Sequence, residues 1–254
     1  MNINSKIKYL KKNGYIILEN VFSNKSCERI IVELEKILKS RIRKKKYIGS
    51  KNTIVLYNYF IENISLTKLI YHPLVDQFLT KLIDKDYVLI STAARNKKIF
   101  NLKDKKFKDA KASGNKWHTD NRYLAGQALK PSINYFVIVA LDDFTKDNGG
   151  TKFIPKSHLN SKKIIKDYKN FSYLNAKKGS VIIMDSNLLH LAGDATHKRR
   201  WSIFNLYSPW FVKPYFQFTK LINKNKISNK LKKILHFNSI PPLDYNKRTS
   251  TLVK

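Results

Sequence analysis

From residue 132 onward the chain is a succession of apolar runs too short to be helices, each closed by a turn. The runs are "SINYFVIVAL" (132–141), "TKFIP" (151–155) after the turn "DNGG" (147–150), "KKGSVIIMD" (177–185), "LLHLAG" (188–193) and "RWSIFNLYSPWF" (200–211). Runs at this spacing, without intervening amphipathic helices, exclude parallel βαβ units and imply a sandwich or barrel. Upstream the texture differs. "GYIILENVF" (14–22) and "YVLISTAAR" (87–95) read as strands, whereas Ile30, Ile31, Leu34, Ile37 and Leu38 recur at helical spacing behind Ser23, a plausible N-cap. A helix over 25–42 follows, and a second helical pattern covers 64–84 with a break at Pro73. Residues 97–116 are polar and aperiodic, as a loop would be, and one basic helix is expected over roughly 219–236. There is no GxGxxG, no P-loop and no internal repeat. The expected fold is α+β, with N-terminal helices packed on a C-terminal antiparallel β core.

With 254 residues, 43% of them hydrophobic and 12% aromatic, the chain suits one domain with extensions. The 50 Lys and Arg exceed the 18 Asp and Glu to give +32, a balance that would suit nucleic acid, an anionic surface or an acidic substrate. Only eight of the 50 are Arg, and the Lys are spread among many Asn and Ile, the pattern an A/T-rich genome imposes. Nucleic acid is therefore a possible but not a favoured partner. Cys27 is the only cysteine, which rules out an intrachain disulfide and a cysteine-based zinc cluster. No stretch has the ~20 apolar residues of a membrane span, so a cytoplasmic protein is expected. Nothing in the sequence sets the oligomeric state.

Within "NKWHTDNRYL" (115–124), His118 and Asp120 stand two apart. On a strand such residues point to one face, so an imidazole and a carboxylate could meet at one cation. Alone the motif is weak. A third ligand would come from the remaining histidines. His72 and His236 lie in helical patterns, His158 follows a strand, and His197 sits in the polar turn "THKRR". His190, just beyond the buried run 180–185, is the one a β core can bring opposite 118. Two His and one carboxylate with open positions is the facial set of non-haem Fe(II) oxygenases. Ten residues later Arg200 opens a strand, where its planar fork could hold the far carboxylate of 2-oxoglutarate. Arg199 is its rival, since a one-residue shift on a strand reverses the face.

In order along residues 8–212, the segments "KKNGYIILENVFSNKSCERI", "WHTD", "KPSINYFVIVALDDFTKDNGGTKFIPKSH", "KGSVIIMDSNLLHLAG" and "RRWSIFNLY" resemble the phytanoyl-CoA dioxygenase family of Fe(II)/2-oxoglutarate oxygenases. The resemblance implies a double-stranded β-helix (117–212) behind N-terminal helices and flanking strands (1–95), with a C-terminal extension (213–254), all in one oxygenase domain. It implies Fe(II) on His118, Asp120 and His190, 2-oxoglutarate on Arg200, and O2 as co-reactant. The implied reaction is hydroxylation of a small, possibly anionic, organic substrate with release of succinate and CO2. Asp120 favours hydroxylation, because related halogenating enzymes carry a small residue there. Two positions depart from the family: Lys156 replaces the glycine of a Pro-Gly-Ser-His-like turn, and Ala192 stands where members often place a serine. Asn115, Lys116, Trp117, Arg122, Tyr123 and Asn134 are candidates for the substrate or cosubstrate pocket. Selectivity would lie in loops at about 43–60, 97–116 and 209–254. Two alternatives stand beside this reading: an oxidative demethylase of nucleic acid with the same chemistry, and an inactive barrel that only binds.

Overall fold

The computed structural model describes residues 2–44, 46–50, 52–99, 116–121, 131–159 and 168–239. Helix α1 (Ile3–Asn13) is capped by the Asn2 side chain and ended by Gly14, whose φ of 86° is a left-handed conformation that glycine adopts without strain. Strand β1 (Tyr15–Leu18) leads to α2 (Asn24–Arg43), which the Ser23 hydroxyl caps as expected. A hairpin of β2 (Ile48–Ser50) and β3 (Thr53–Tyr57), two 3₁₀ turns and α3 (Pro73–Leu82) precede the long strand β4 (Val88–Lys97). Then come β5 (Tyr135–Ala140), β6 (Lys152–Phe153), β7 (Ser172–Tyr173), β8 (Val181–Asp185), β9 (His190–Leu191) and β10 (Arg200–Ser208). Two short helices, α4 (Phe218–Leu221) and α5 (Asn229–Ile234), close the described chain.

The seven-stranded antiparallel sheet has the order β1-β8-β5-β10-β4-β3-β2, and a three-stranded sheet has the order β7-β6-β9. Side chains alternate along the large sheet, as a strand dictates. Along β10, Trp201, Ile203 and Tyr207 join Val137, Val139, Ile183 and the buried residues of α1, α2 and α3 in the main core. Trp201 also donates its indole N–H to Glu35 of α2 (2.7 Å), which ties the helical layer to the sheet. On the opposite face, Arg200 and Phe204 of β10, Phe136 and Ile138 of β5, and Met184 of β8 turn toward the small sheet and line the cavity between them. This is the expected α+β architecture, a double-stranded β-helix with helices packed on one side.

Two regions differ from expectation. Residues 43–60, anticipated as a variable loop, contain β2 and β3, because "TIVLY" finds a pairing edge in β4 through the register Thr53↔Lys97 to Tyr57↔Ala93. The basic helix expected over 219–236 is broken into α4, a 3₁₀ turn (Lys224–Lys226) and α5, with the side chains of Asn223 and Ser228 capping the later pieces. The expected loop 97–116 falls mostly outside the described residues. Among these, no helix is long and apolar enough to cross a membrane.

Candidate metal centre

His118 and His190 face each other across an isolated antiparallel bridge, each backbone N–H donating to the other's carbonyl (3.0 and 2.9 Å). Opposed residues of such a pair share a face, so the two imidazoles lie side by side with centroids 4.3 Å apart. One turn further, the Asp120 N–H donates to the Ser186 carbonyl (2.9 Å), which points its carboxylate at the same place. Ligand atoms of His118, Asp120 and His190 lie within 4.8 Å of one another, and the side chains keep only 12%, 22% and 12% exposure respectively.

The hydrogen bonds set the tautomers. Nδ1 of His118 contacts the Lys116 carbonyl (2.7 Å) and Nδ1 of His190 the Leu188 carbonyl (2.9 Å). A carbonyl only accepts, so both Nδ1 atoms carry protons, and it is the Nε2 edge of each ring that faces Asp120. Nε2 of His190 is 3.3 Å from Oδ2 of Asp120, and that buried oxygen has no hydrogen-bond partner. A nitrogen lone pair and a carboxylate oxygen repel at this distance unless a proton or a metal ion lies between them. Two imidazoles and one carboxylate, steered by backbone carbonyls, are a fitting donor set for a divalent iron-group ion.

A buried amide network holds the two ligand-bearing loops together. Asn121 donates to Asn187 (2.8 Å), Asn134 donates to Asn121 (2.7 Å), and Asn187 donates to Ser132 (3.2 Å), which in turn donates to Asp185 (2.6 Å). Burial raises the pKa of the Asp185 carboxyl, against the Ser132 and Asn187 donors that lower it. Sequence reading did not find Asn121, Asn187 or Asp185; asparagine is frequent throughout this chain and gives no local signal.

The cavity in front of the triad is lined by Thr53, Arg95, Lys97, Phe136, Ile138, Thr151, Met184, Ala192, Arg200 and Phe204. Arg200 lies inside it, 3% exposed, with its guanidinium carbon 3.9 Å from the centroid of Phe144. Its Nε and Nη1 have no partner, and burial, followed by the charge of Arg95, pushes its pKa down to about 9. A guanidinium keeps its proton, so that shift expresses how strongly the site calls for an anion. Arg199 points the other way, forming a two-pronged pair with Asp142 (3.1 and 3.0 Å) at the surface. Of the two rivals, only Arg200 reaches the cavity.

The other candidates fall in different places. Trp117 is 6% exposed and packs on Ile154 and Leu189, with Tyr168 and Phe171 against its ring. Lys116 contributes its carbonyl to His118, and Asn134 belongs to the amide network; none of the three is among the cavity-lining residues. Asn115, Arg122 and Tyr123 lie outside the described residues. His158 is buried and bonded to the Lys11 carbonyl (2.9 Å), a structural position. Lys156 takes a φ of 58°, so the turn keeps the backbone that glycine would give it. Ala192 faces the cavity without a polar atom. Arg95 and Lys97 were missed, although their alternation at the end of β4 could have placed both on one strand face.

Residues 10–201 match the family model described as phytanoyl-CoA dioxygenase (PhyH). Two uncharacterised proteins, of Mycobacterium bovis and Mycobacterium tuberculosis, are each 31% identical over 112 residues, which is 42% of this chain. The match spans about 40% of the length of these curated relatives. Among solved structures, HygX from Streptomyces hygroscopicus with nickel, 2-oxoglutarate and hygromycin B bound has a TM-score of 0.64 at 11% identity, over 85% of this chain and 90% of that one. The nickel complex of the non-haem monooxygenase ThoJ gives 0.60 at 18% identity, over 83% and 80%. The α-ketoglutarate-dependent epimerase SnoN of nogalamycin biosynthesis gives 0.60 at 13%, over 81% and 82%. At these identities the likeness establishes the fold, and the family match covers well over half of the sequence. The chain belongs to the phytanoyl-CoA dioxygenase family.

Proposed function

We propose that this chain, read as a single domain, is an Fe(II)/2-oxoglutarate-dependent oxygenase that hydroxylates a small organic molecule. His118, Asp120 and His190 hold the iron, and Arg200 pairs with the distal carboxylate of 2-oxoglutarate. The observation that carries the reading is the pairing of two unmet demands in one cavity. Asp120, whose buried Oδ2 has no hydrogen-bond partner, calls for a cation beside the two imidazoles, and Arg200, whose buried Nε and Nη1 have none, calls for an anion. A dicarboxylate chelating the metal at one end answers both. HygX, which shares the fold, was solved with nickel and 2-oxoglutarate bound, in keeping with this assignment.

When bound, iron with 2-oxoglutarate and O2 supplies the oxidant for C–H hydroxylation, with succinate and CO2 as co-products. The chain's own share is positional. The carbonyls of Lys116 and Leu188 fix the imidazole tautomers, and the Ser186 carbonyl fixes the Asp120 backbone. Phe136, Ile138, Met184 and Phe204 give the cavity an apolar wall that keeps water from the reacting atoms. The test is purified protein with Fe(II), ascorbate and 2-oxoglutarate, read by succinate formation. Turnover should vanish in His118→Ala and Asp120→Ala, and unchanged succinate formation in both variants would remove the assignment.

A further inference from the structure

The cavity carries more positive charge than this reaction consumes. Three cationic side chains face it from neighbouring strands, Arg95 and Lys97 on β4 and Arg200 on β10, against one carboxylate, Asp120, among the described lining residues. On the proposed function, a divalent ion, Asp120, the 2-oxoglutarate dianion and Arg200 sum to zero. Arg95 and Lys97 then remain without counter-charge. Asp194, the acid whose charge acts on Lys97, is already paired with Lys152 at 2.7 Å. Lys97 is buried and Arg95 half-buried, and a cation taken out of water without a counter-ion destabilises a fold, so a second anion is called for.

The two guanidiniums are separate seats. Arg200 lies on the ring of Phe144 at 3.9 Å, whereas Arg95 lies on the ring of Phe204 at 4.6 Å. The strand register places them apart as well, with Arg200 opposite Lys97 and Arg95 opposite Ser202. Two residues of strand are roughly 6.6 Å. That step runs toward Tyr207, whose partner Tyr135 pairs with Asp185, next to the Ser186 carbonyl that holds Asp120. Arg95 is therefore displaced from Arg200 toward the metal ligands. Its Nε and the neighbouring Ser202 hydroxyl are buried without partners. Both can donate.

We propose that Arg95, backed by Lys97, seats an anionic group of the substrate itself, so that the molecule hydroxylated carries a carboxylate or a phosphate. This rests on the oxygenase reading and adds the substrate's chemical class. The test is calorimetry on protein loaded with Mn(II) and saturated with 2-oxoglutarate, titrated with acetate and, separately, with inorganic phosphate at constant ionic strength. Saturable binding of at least one is expected, and the stronger arm tells carboxylate from phosphate. Arg95→Gln should weaken it by about tenfold or more, the scale of a charged hydrogen-bonded pair. Its affinity for 2-oxoglutarate should stay within about threefold, and Arg200→Gln should do the reverse. Arg95→Lys, which keeps the charge and loses the fork, serves if the glutamine variant melts early, and should give an intermediate loss. Anion binding unchanged in both Arg95 variants, a tenfold loss of 2-oxoglutarate binding on Arg95→Gln, or a wild type that takes neither anion would overturn the seat alone. A wild type that does not bind 2-oxoglutarate would overturn the oxygenase reading with it.

Discussion

Lys97→Met should make the metal-free, cosubstrate-free protein more stable at neutral pH. Lys97 is 6% exposed at the end of β4, its stem beside Gly149. Burial first, and Arg200 second, push its ammonium down from 10.5 to about 8. The gap between those values corresponds to about 3 kcal/mol of destabilisation. The penalty is whole below pH 8, where the ammonium is charged in both folded and unfolded chains. It fades as pH rises from 8 to 10.5, because the folded chain releases its proton while the unfolded chain keeps it. Methionine preserves the apolar stem and removes the charge, so a gain of about 1–3 kcal/mol is expected at pH 7 after relaxation of the site. At about 2–4 °C per kcal/mol for a chain of this size, the melting temperature should rise by several degrees. Calorimetric melts of both proteins at pH 7 and pH 10 measure this. The reasoning fails if the variant melts no higher than wild type at pH 7, or if the gap does not narrow by pH 10.

Asn187→Ala should lower Mn(II) affinity by about tenfold in calorimetry, because it releases Asn121 and Ser132 from the network joining the Asp120 and His190 loops; unchanged affinity would show that the loops hold without it. Arg199→Ala should leave 2-oxoglutarate affinity unchanged and shift urea-unfolding stability by less than about 1 kcal/mol, since it breaks only a surface pair with Asp142. Gly193→Ala should fail to fold or lose several kcal/mol by the same assay, because a Cβ there would stand 2.1 Å from the Gly150 carbonyl oxygen.

The β core was legible because its strands are apolar runs bounded by turns, and α2 because five apolar residues mark one face. The cluster of His118, Asp120 and His190 could be read from order along the chain, but only after strand pairing had a candidate geometry: His118 and His190 are 72 positions apart and meet through one isolated bridge. What stayed hidden depends on tertiary context. The segment "YIGSKNTIVLY" fell within an expected variable loop, yet becomes a hairpin because β4 offers it an edge. Helix α1 has a polar surface and only two buried residues, Ile7 and Leu10, so its period is faint and its caps mark it better. Arg95 carries no motif. Its meaning appears only when β4 and β10 set it beside Arg200 in one cavity. Which of Arg199 and Arg200 faces the cavity is likewise a matter of strand phase, which the sequence leaves open; Arg200 lines it and Arg199 pairs with Asp142.

The most direct measurement is a crystal structure grown with Ni(II) and 2-oxoglutarate, with the metal located by its anomalous scattering. The account predicts one peak per chain about 2.1 Å from Nε2 of His118, Nε2 of His190 and a carboxylate oxygen of Asp120, with the distal carboxylate of 2-oxoglutarate on Arg200. A nickel ion held by other residues, or a dicarboxylate lying away from Arg200, would contradict it.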